Sequence, residues 1–405
     1  MSNAIAASIA AAIGPDAVRT DVGGRIITTP PSIESLAHLL GLAYDGGWSV
    51  AVTGAGTWQV NDAPATLTIS TRALDQVVRG VRPKWTVTVQ GGMSLDALTR
   101  TLQSQGAALW IDPPGRADRS IGSVVATGTL GPMLVPLIDQ VKALTVVSGD
   151  GRVLRLTNNQ PGGPSLAEQL RPHVGGFGAF GVIAEVEILA RESVQIDQTF
   201  VTTGDRDRLT ASANDFEAVS AGVSAAEVLS PALAAQSEWL LAVRHLHDPD
   251  RWHAVARDEA MARSPGLVWR ELTPADASQL WNSSARAMSS APVTFRLAAT
   301  APGFDETLDL VIARMGEGVL SATPATGSLR WCGEATREQL RLLRTELAAR
   351  EIPLTIERAP WAIRGSLGHL GAFHEGVGGV VDRLRESFDP GGILCPALQP
   401  AESGS

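Results

Sequence analysis

In the stretch "PPSIESLAHLLGLAYDGG", apolar residues recur at Ile33, Leu36, Leu39, Leu40 and Ala43, a spacing that places them on one face of a helix. Ser32 supplies an N-cap, Ser35 stands in the first turn, and Gly46 and Gly47 end the pattern. The period then shortens to two. "WSVAVTG", "ATLTIS" and "WTVTVQ" alternate and are rich in β-branched residues, as strands are. "SLDALTRTLQSQGA" returns to helical spacing between Ser94 as N-cap and Gly106 as stop. After the loop "WIDPPGRADRS", the run "VKALTVVSGDGRVLRL" predicts a β-hairpin turning at Gly149, Asp150 and Gly151, and "GGFGAFGVIAEVEILA" predicts a glycine-rich entry into a strand. Short helices punctuating mixed strands give an α+β pattern up to about residue 190, unlike the regular βαβ alternation of a doubly wound sheet.

Beyond about residue 195 the character changes. "EWLLAVRHL", "VTFRLAAT", "GSLRWCG" and "PLTIERA" read as strands alternating with helical segments, which predicts an antiparallel sheet with helices on one face. The start "MSNAIAASIAAAIG" lacks a basic leader and a strongly apolar centre, so it reads as an amphipathic or frayed helix and not as a signal peptide.

Composition narrows the function classes. The 405 residues, 44% apolar and 19% charged, can bury a large core divided among two or three subdomains. Lys plus Arg number 33 against 42 Asp plus Glu, a net charge of −9 with no basic cluster, so nucleic acid and anionic membranes are poor partners. The two cysteines, Cys332 and Cys395, are too few for a private zinc or iron–sulfur site or a disulfide framework. No uncharged apolar run reaches eighteen residues, so membrane insertion is not expected and a cytoplasmic chain is.

Three segments combine small residues with strands: 54–58, 120–131 and 175–183. Glycine admits a close backbone approach and lets successive amides point one way, forming an anion-binding nest. An isolated glycine pair is ordinarily a turn or a bulge. The order and spacing of the three carry more weight. "VTGAGTW", "WTVTVQGGMSLDALTRTLQSQG", "SIGSVVATGTLGP", "VKALTVVSGDGRVLRL" and "GGFGAFGVIAEVEI" together resemble the FAD-binding domain of the vanillyl-alcohol oxidase superfamily, the PCMH type, over about residues 20–190. The resemblance resumes in "LRESFDPGGILCP". It is nearest to the flavin subunit of bacterial glycolate oxidase, in length, in "LGP" and in the ending, while "ATGT" is shared with sugar-lactone and alditol oxidases.

The resemblance implies a PCMH-type FAD-binding domain of two α+β subdomains over residues 1–190. It also implies an antiparallel-sheet-and-helix cap domain for the substrate over 191–368 and a C-terminal return to the FAD domain over 369–405. Thr53, Gly54, Ala55, Gly56, Thr57 and Trp58 would offer the turn for the FAD pyrophosphate. Ser120, Ile121, Gly122, Ser123, Ala126, Thr127, Gly128 and Gly131 would line the pyrophosphate and ribityl chain. Gly181, Val182 and Ile183 would bracket the adenosine end, and Cys395 closes the flavin side where the family usually has Asn. Each phosphate contact would be neutral hydrogen bonding. Some superfamily members tether FAD through a histidine in the first glycine loop, but no His occurs between His38 and His173, so FAD is expected to be non-covalent. The "KNVAGYD"-like stretch of glycolate-oxidase-type subunits is replaced by "NNQPGGPSLAEQLRPHVGG", and the His-x-Gly-Asp-Gly signature of the D-lactate dehydrogenase branch is absent.

The candidates for chemistry lie in the second half. His245 and His247 alternate along a strand without a clear third ligand, Asp248 and His253 being only nearby, so no metal is expected. Trp281 reads as packing, and Cys332 as a small buried residue. Arg296, inside an apolar strand, needs a partner if buried: either a substrate carboxylate or a structural ion pair. Glu357, Arg358, Trp361, Arg364, His369 and His374 crowd the return from cap to FAD domain. His369, or Glu357, could remove a hydroxyl proton while hydride passes to the flavin. The function expected is an FAD-dependent oxidoreductase acting on the alcohol carbon of a small polar substrate, a 2-hydroxy acid or a polyol. Electrons would pass to oxygen or to a separate iron–sulfur or electron-acceptor subunit. A non-redox or non-catalytic flavoprotein subunit, and a module for another nucleotide, stand as alternatives.

Overall fold

The computed structural model describes residues 2–60, 62–129, 131–133, 135–157, 165–219, 223–249, 251–316, 318–371, 373 and 376–395, with the backbone alone at 2, 217–219, 251–253, 256 and 301. The first capped helix forms as Ile33–Asp45, the Ser32 hydroxyl accepting from the Ser35 amide at 3.2 Å. Its Leu36, Leu39, Leu40 and Ala43 bury against a four-stranded sheet ordered Val18–Thr20, Ile26–Thr28, Leu67–Ser70, Val50–Thr53. Leu394 bridges to Val50 in parallel, so the closing segment extends this sheet at its Val50–Thr53 edge.

A second, antiparallel sheet runs Val77–Arg79, Thr86–Gln90, Val182–Leu189, Val141–Val147, Val153–Leu156, and its last pair is the expected hairpin. Leu98 and Leu102 of the helix Leu95–Gln103 pack on it. Val147, Val182 and Ala184 join the core of the first sheet, which locks the two sheets together. Segment 120–131, read beside strands, instead holds a helix, Ile121–Thr127. Ser120 caps it and Gly128 stops it in the left-handed region at φ 58°. Two turns between glycines are too short for the helical period to stand out.

An eight-stranded antiparallel sheet follows, ordered Arg270–Glu271, Ile196–Gly204, Trp239–His247, Val223–Leu229, Val319–Thr323, Ser328–Gly333, Val293–Ala298, Leu354–Arg358. One face buries Val228, Leu241, Phe295, Leu320, Trp331 and Ile356 under the helices Arg206–Val219, Phe304–Met315 and Arg337–Ala348. The expectation of helices on one face only needs correcting. The helix Pro274–Ser290 covers part of the other face, because Trp281 and Met288 pack into the space that the small Ala225 and Ala242 leave beside Val201 and Leu240. Trp58 joins that cluster, and the Gly115 amide donates to Ala285 O at 2.8 Å, so this second face lies against the first unit. Among the described residues no helix is long and apolar enough to cross a membrane.

Candidate functional site

A cavity of about 140 Å³ opens where the three glycine segments converge with the closing segment. Every cofactor-facing residue expected above lines it except Ile121, Gly128 and Gly131. Ile121 is buried in the core, and Gly131 lets the chain cross Asp112, whose carbonyl oxygen would lie 1.4 Å from an added Cβ. The first two segments also touch: a Cβ at Gly54 would lie 1.9 Å from Ser120 Oγ.

The turn after Val50–Thr53 is built as a donor surface. Its carbonyls are taken up by side chains: Gly54 O accepts from Ser70 Oγ at 3.1 Å, Ala55 O from Arg72 Nη2 at 3.0 Å, Val60 O from Arg364 Nη2 at 2.9 Å, and Trp58 O from Arg358 Nη1. The amides of residues 55–59 find no acceptor among the described residues, and Thr57 Oγ1 is buried without a partner. A buried hydroxyl without a partner is costly unless a ligand engages it, and a row of amides without acceptors suits a phosphate-like anion.

The family described as FAD binding domain matches residues 25–157. Residues 25–157 are an FAD binding domain. Among curated proteins, the chain is 25% identical over 181 residues to the mitochondrial D-2-hydroxyglutarate dehydrogenase of Bos taurus, covering 43% of this chain and 33% of that protein. It is 27% identical over 194 residues to the mitochondrial L-galactono-1,4-lactone dehydrogenase 2 of Oryza sativa subsp. japonica, covering 46% and 31%. The chain thus spans about a third of the length of the curated relatives it matches. The structure superposes on 4-ethylphenol oxidase from Gulosibacter chungangensis with a TM-score of 0.71 at 16% identity, covering 97% of this chain and 95% of the other. The chain shares the fold of that oxidase. The unpaired amides and the glycine contacts suit the FAD this domain takes.

Arg119, not singled out from sequence, lines the cavity while almost wholly buried. It stacks on the Trp58 ring at 4.0 Å and donates to Pro114 O, Thr127 Oγ1 and Thr129 Oγ1 at 2.6, 2.6 and 2.8 Å. Burial lowers its pKa to about 9. The cradle therefore has a cation in its wall. An Arg immediately before the Ser120 cap was the available signal.

His369 also lines the cavity. The Ile356 amide donates to His369 O at 2.8 Å, and the imidazole Nδ1 faces Ile356 O at 2.5 Å. A carbonyl only accepts, so Nδ1 carries the proton and Nε2 the lone pair. The ring stacks on Phe177 with centroids 3.9 Å apart. Burial pulls its pKa down to about 4, so it is neutral at pH 7. Arg344 braces the turn beneath it, donating to the carbonyls of Leu367, Gly368 and His369 at 2.5, 3.1 and 3.2 Å.

Glu357 and Arg296 lie together, outside the cavity lining. Arg330 Nε and Nη2 reach the two Glu357 oxygens at 2.8 and 3.2 Å, and Arg296 Nε stands 3.4 Å away. Burial works to raise the Glu357 pKa, but the guanidinia of Arg330 and Arg296 outweigh it and hold the carboxyl below its ordinary range. His245 packs edge-on to Phe200 and Phe216, and His247 Nδ1 meets Asp248 O at 2.6 Å. His374 and the His253 side chain lie outside the described residues. Among the described residues no three His, Cys, Asp or Glu side chains group as metal ligands. Trp281 Nε1 donates to Thr199 Oγ1 at 3.0 Å, and burial pushes the Cys332 thiol up to about 12.

Proposed function

We propose that the chain is an FAD-dependent oxidoreductase oxidising an alcohol carbon of a small polar substrate, a 2-hydroxy acid or a polyol, as the glycolate oxidase flavin subunit it resembles does with its own substrate. The observation carrying this reading is His369: a neutral imidazole with a free Nε2 lone pair in the wall of the FAD cavity. The amides of residues 55–58 would hold the FAD diphosphate. Ser120, Gly122 and Ser123, with Ala126 and Thr127, would follow the ribityl chain, and Gly181, Val182 and Ile183 would flank the adenosine end. Bound non-covalently, FAD supplies the two-electron acceptor for the alcohol's hydride. His369 Nε2 takes the hydroxyl proton, and Phe177 and Arg344 keep the ring in place. Residues 191–368, as cap, shape the substrate side. Electrons leave to oxygen or to a separate electron-acceptor subunit.

Anaerobic titration of the purified flavoprotein with 2-hydroxy acids and polyols tests this. Bleaching of the flavin absorbance by one of them is expected. Bleaching by dithionite alone, across the whole panel, would sink the oxidoreductase reading in favour of a non-redox flavoprotein.

A further inference from the structure

Guanidinia crowd the polar part of the cap-sheet face that lies against the FAD binding domain. Arg296 and Arg330 stand directly opposite each other on paired strands, a placement of like charges that costs stability. Glu357, fully buried, lies between them. Arg119 is a third buried cation, its hydrogen bonds going to neutral oxygens and its electrostatic neighbours being Glu357, Arg330 and Arg296. Glu227 acts on Arg330 from the neighbouring strands, its carboxyl taken up by the hydroxyls of Ser321 and Thr323. Burial raises the Glu227 pKa, toward the neutral form. Asp112 adds a further carboxylate near Glu227 and is itself paired with Arg244 at 3.5 Å.

The open valence is on Arg296. Its Nη1 donates to Gly128 O at 2.7 Å and its Nε faces Glu357, while Nη2 has no hydrogen-bond acceptor among the described residues. The side chain keeps 22% of its surface accessible. A Cβ at Gly128 would be in ordinary contact with Nη2 at 3.6 Å but only 2.8 Å from Gly175 Cα, so glycine there serves the crossing of the two backbones. Gly128, whose carbonyl holds Nη1, directly follows Thr127 of the cavity wall, so Arg296 is tied to the backbone one residue from that wall without lining it.

We propose that the Nη2 edge of Arg296 anchors a carboxylate, which makes the substrate a hydroxy-carboxylate and not a neutral polyol. Calling that ligand a substrate rests on the oxidoreductase reading above; the anion site is tested separately from it. Glu357 acts as a positioning residue, engaging the Nε side of Arg296 so that Nη2 faces outward.

The test uses FAD-loaded protein titrated with oxalate, a carboxylate with no alcohol to oxidise, and with sorbitol, each followed by the flavin difference spectrum. FAD affinity of the apoprotein is measured in parallel. Saturable oxalate binding is expected, with no response to sorbitol. Arg296→Met should raise the oxalate Kd about thirtyfold or more with FAD affinity unchanged. Arg296→Lys, which keeps charge without the fork, should fall between. Oxalate binding untouched in both variants overturns the proposal. So does a loss of FAD affinity in Arg296→Met, which would assign the cation to the cofactor's phosphates. Flavin bleached by sorbitol and by no hydroxy acid also overturns it, while leaving the oxidoreductase reading intact. Arg296-dependent oxalate binding to a flavin that no alcohol bleaches keeps the anion site and overturns that reading instead.

Discussion

Replacing Glu357 by Gln removes one negative charge while keeping the side chain's shape and one acceptor oxygen. The carboxylate it neutralises is fully buried and receives two hydrogen bonds from Arg330, whose side chain is 8% accessible, with Arg296 opposite Arg330 in the ladder. Breaking a buried pair from one side strands the other charge, at a cost of about 3–5 kcal/mol. The retained amide oxygen still accepts from one guanidinium, so the lower end, about 3 kcal/mol, applies. The urea midpoint of the FAD-free chain, read by tryptophan fluorescence, measures it. The Glu357 pKa is held below its ordinary 4.5, so its contribution is fully present above that value and fades as pH falls through the folded pKa. The gap between wild type and variant should therefore be constant near neutrality and close in acid. Adding Arg330→Met removes the stranded cation and should recover part of the loss. A loss below about 1 kcal/mol, or a double variant worse than the sum of the singles, refutes the reasoning. Activity separates positioning from catalysis as well. If Glu357 were the base, Glu357→Gln would abolish turnover at every pH; as a positioning residue its loss raises KM and keeps turnover, the acid limb proposed for His369 moving only slightly lower because the Glu357 charge helps hold that pKa up.

Two further outcomes are expected. His369 and His173 are both pulled down to about 4 by burial from an ordinary 6.5, so unfolded chain binds their protons first; stability is intact above pH 6.5 and declines toward pH 4, by up to about 3 kcal/mol for each. His173→Phe fits the edge-on pocket of Phe180 and Phe388, at 6.2 and 4.9 Å, and should flatten the decline of the melting temperature between pH 6.5 and 4; an unchanged slope would contradict the assignment. Gly122→Ala would place a Cβ 2.6 Å from Gly91 O, whose own amide is fixed to Ala184 O at 2.7 Å, so neither backbone can yield. It should cost about 1–3 kcal/mol and weaken FAD binding measured by fluorescence quenching, and wild-type affinity in the variant would show that the close approach has no bearing on the cofactor.

What was legible in the sequence was local. A cap and a 3.6-residue period lie within one segment, so Ser32 and Leu36, Leu39 and Leu40 announce the helix Ile33–Asp45 without help from the rest of the chain. The glycine segments could be read because close backbone approach leaves a mark in residue type, as at Gly54 and Gly122. Partnerships across the chain leave no such mark. Arg296 showed that it needed a partner, but Glu357 lies on another strand and Gly128 in another domain. Trp58 was read as the end of the pyrophosphate turn; its stacking on Arg119, sixty-one residues on, follows from tertiary packing alone. That the helix Pro274–Ser290 covers the second face could not be read for the same reason, since small residues at Ala225 and Ala242 become a docking space only once the strands are side by side.

The edge strand Leu354–Arg358 shows why the cofactor and substrate sides cannot be assigned to separate parts of the chain. Thr294 pairs with Arg358 and Phe295 with Ile356, so Glu357 is the extra residue of a β-bulge. A bulge re-aims a side chain and frees a carbonyl from the ladder. Here the side chain goes to Arg330 and Arg296, and the carbonyl accepts from Gln59 Nε2. On either side, Ile356 O fixes the His369 tautomer and Arg358 donates to Trp58 O. Three consecutive residues thus act on the candidate base, on the guanidinium face and on the turn whose amides are left free. The FAD binding domain at residues 25–157 supplies those amides, but their orientation depends on a strand three hundred residues later. A substitution that straightened the bulge would therefore disturb cofactor and substrate together, through backbone geometry and without touching either ligand.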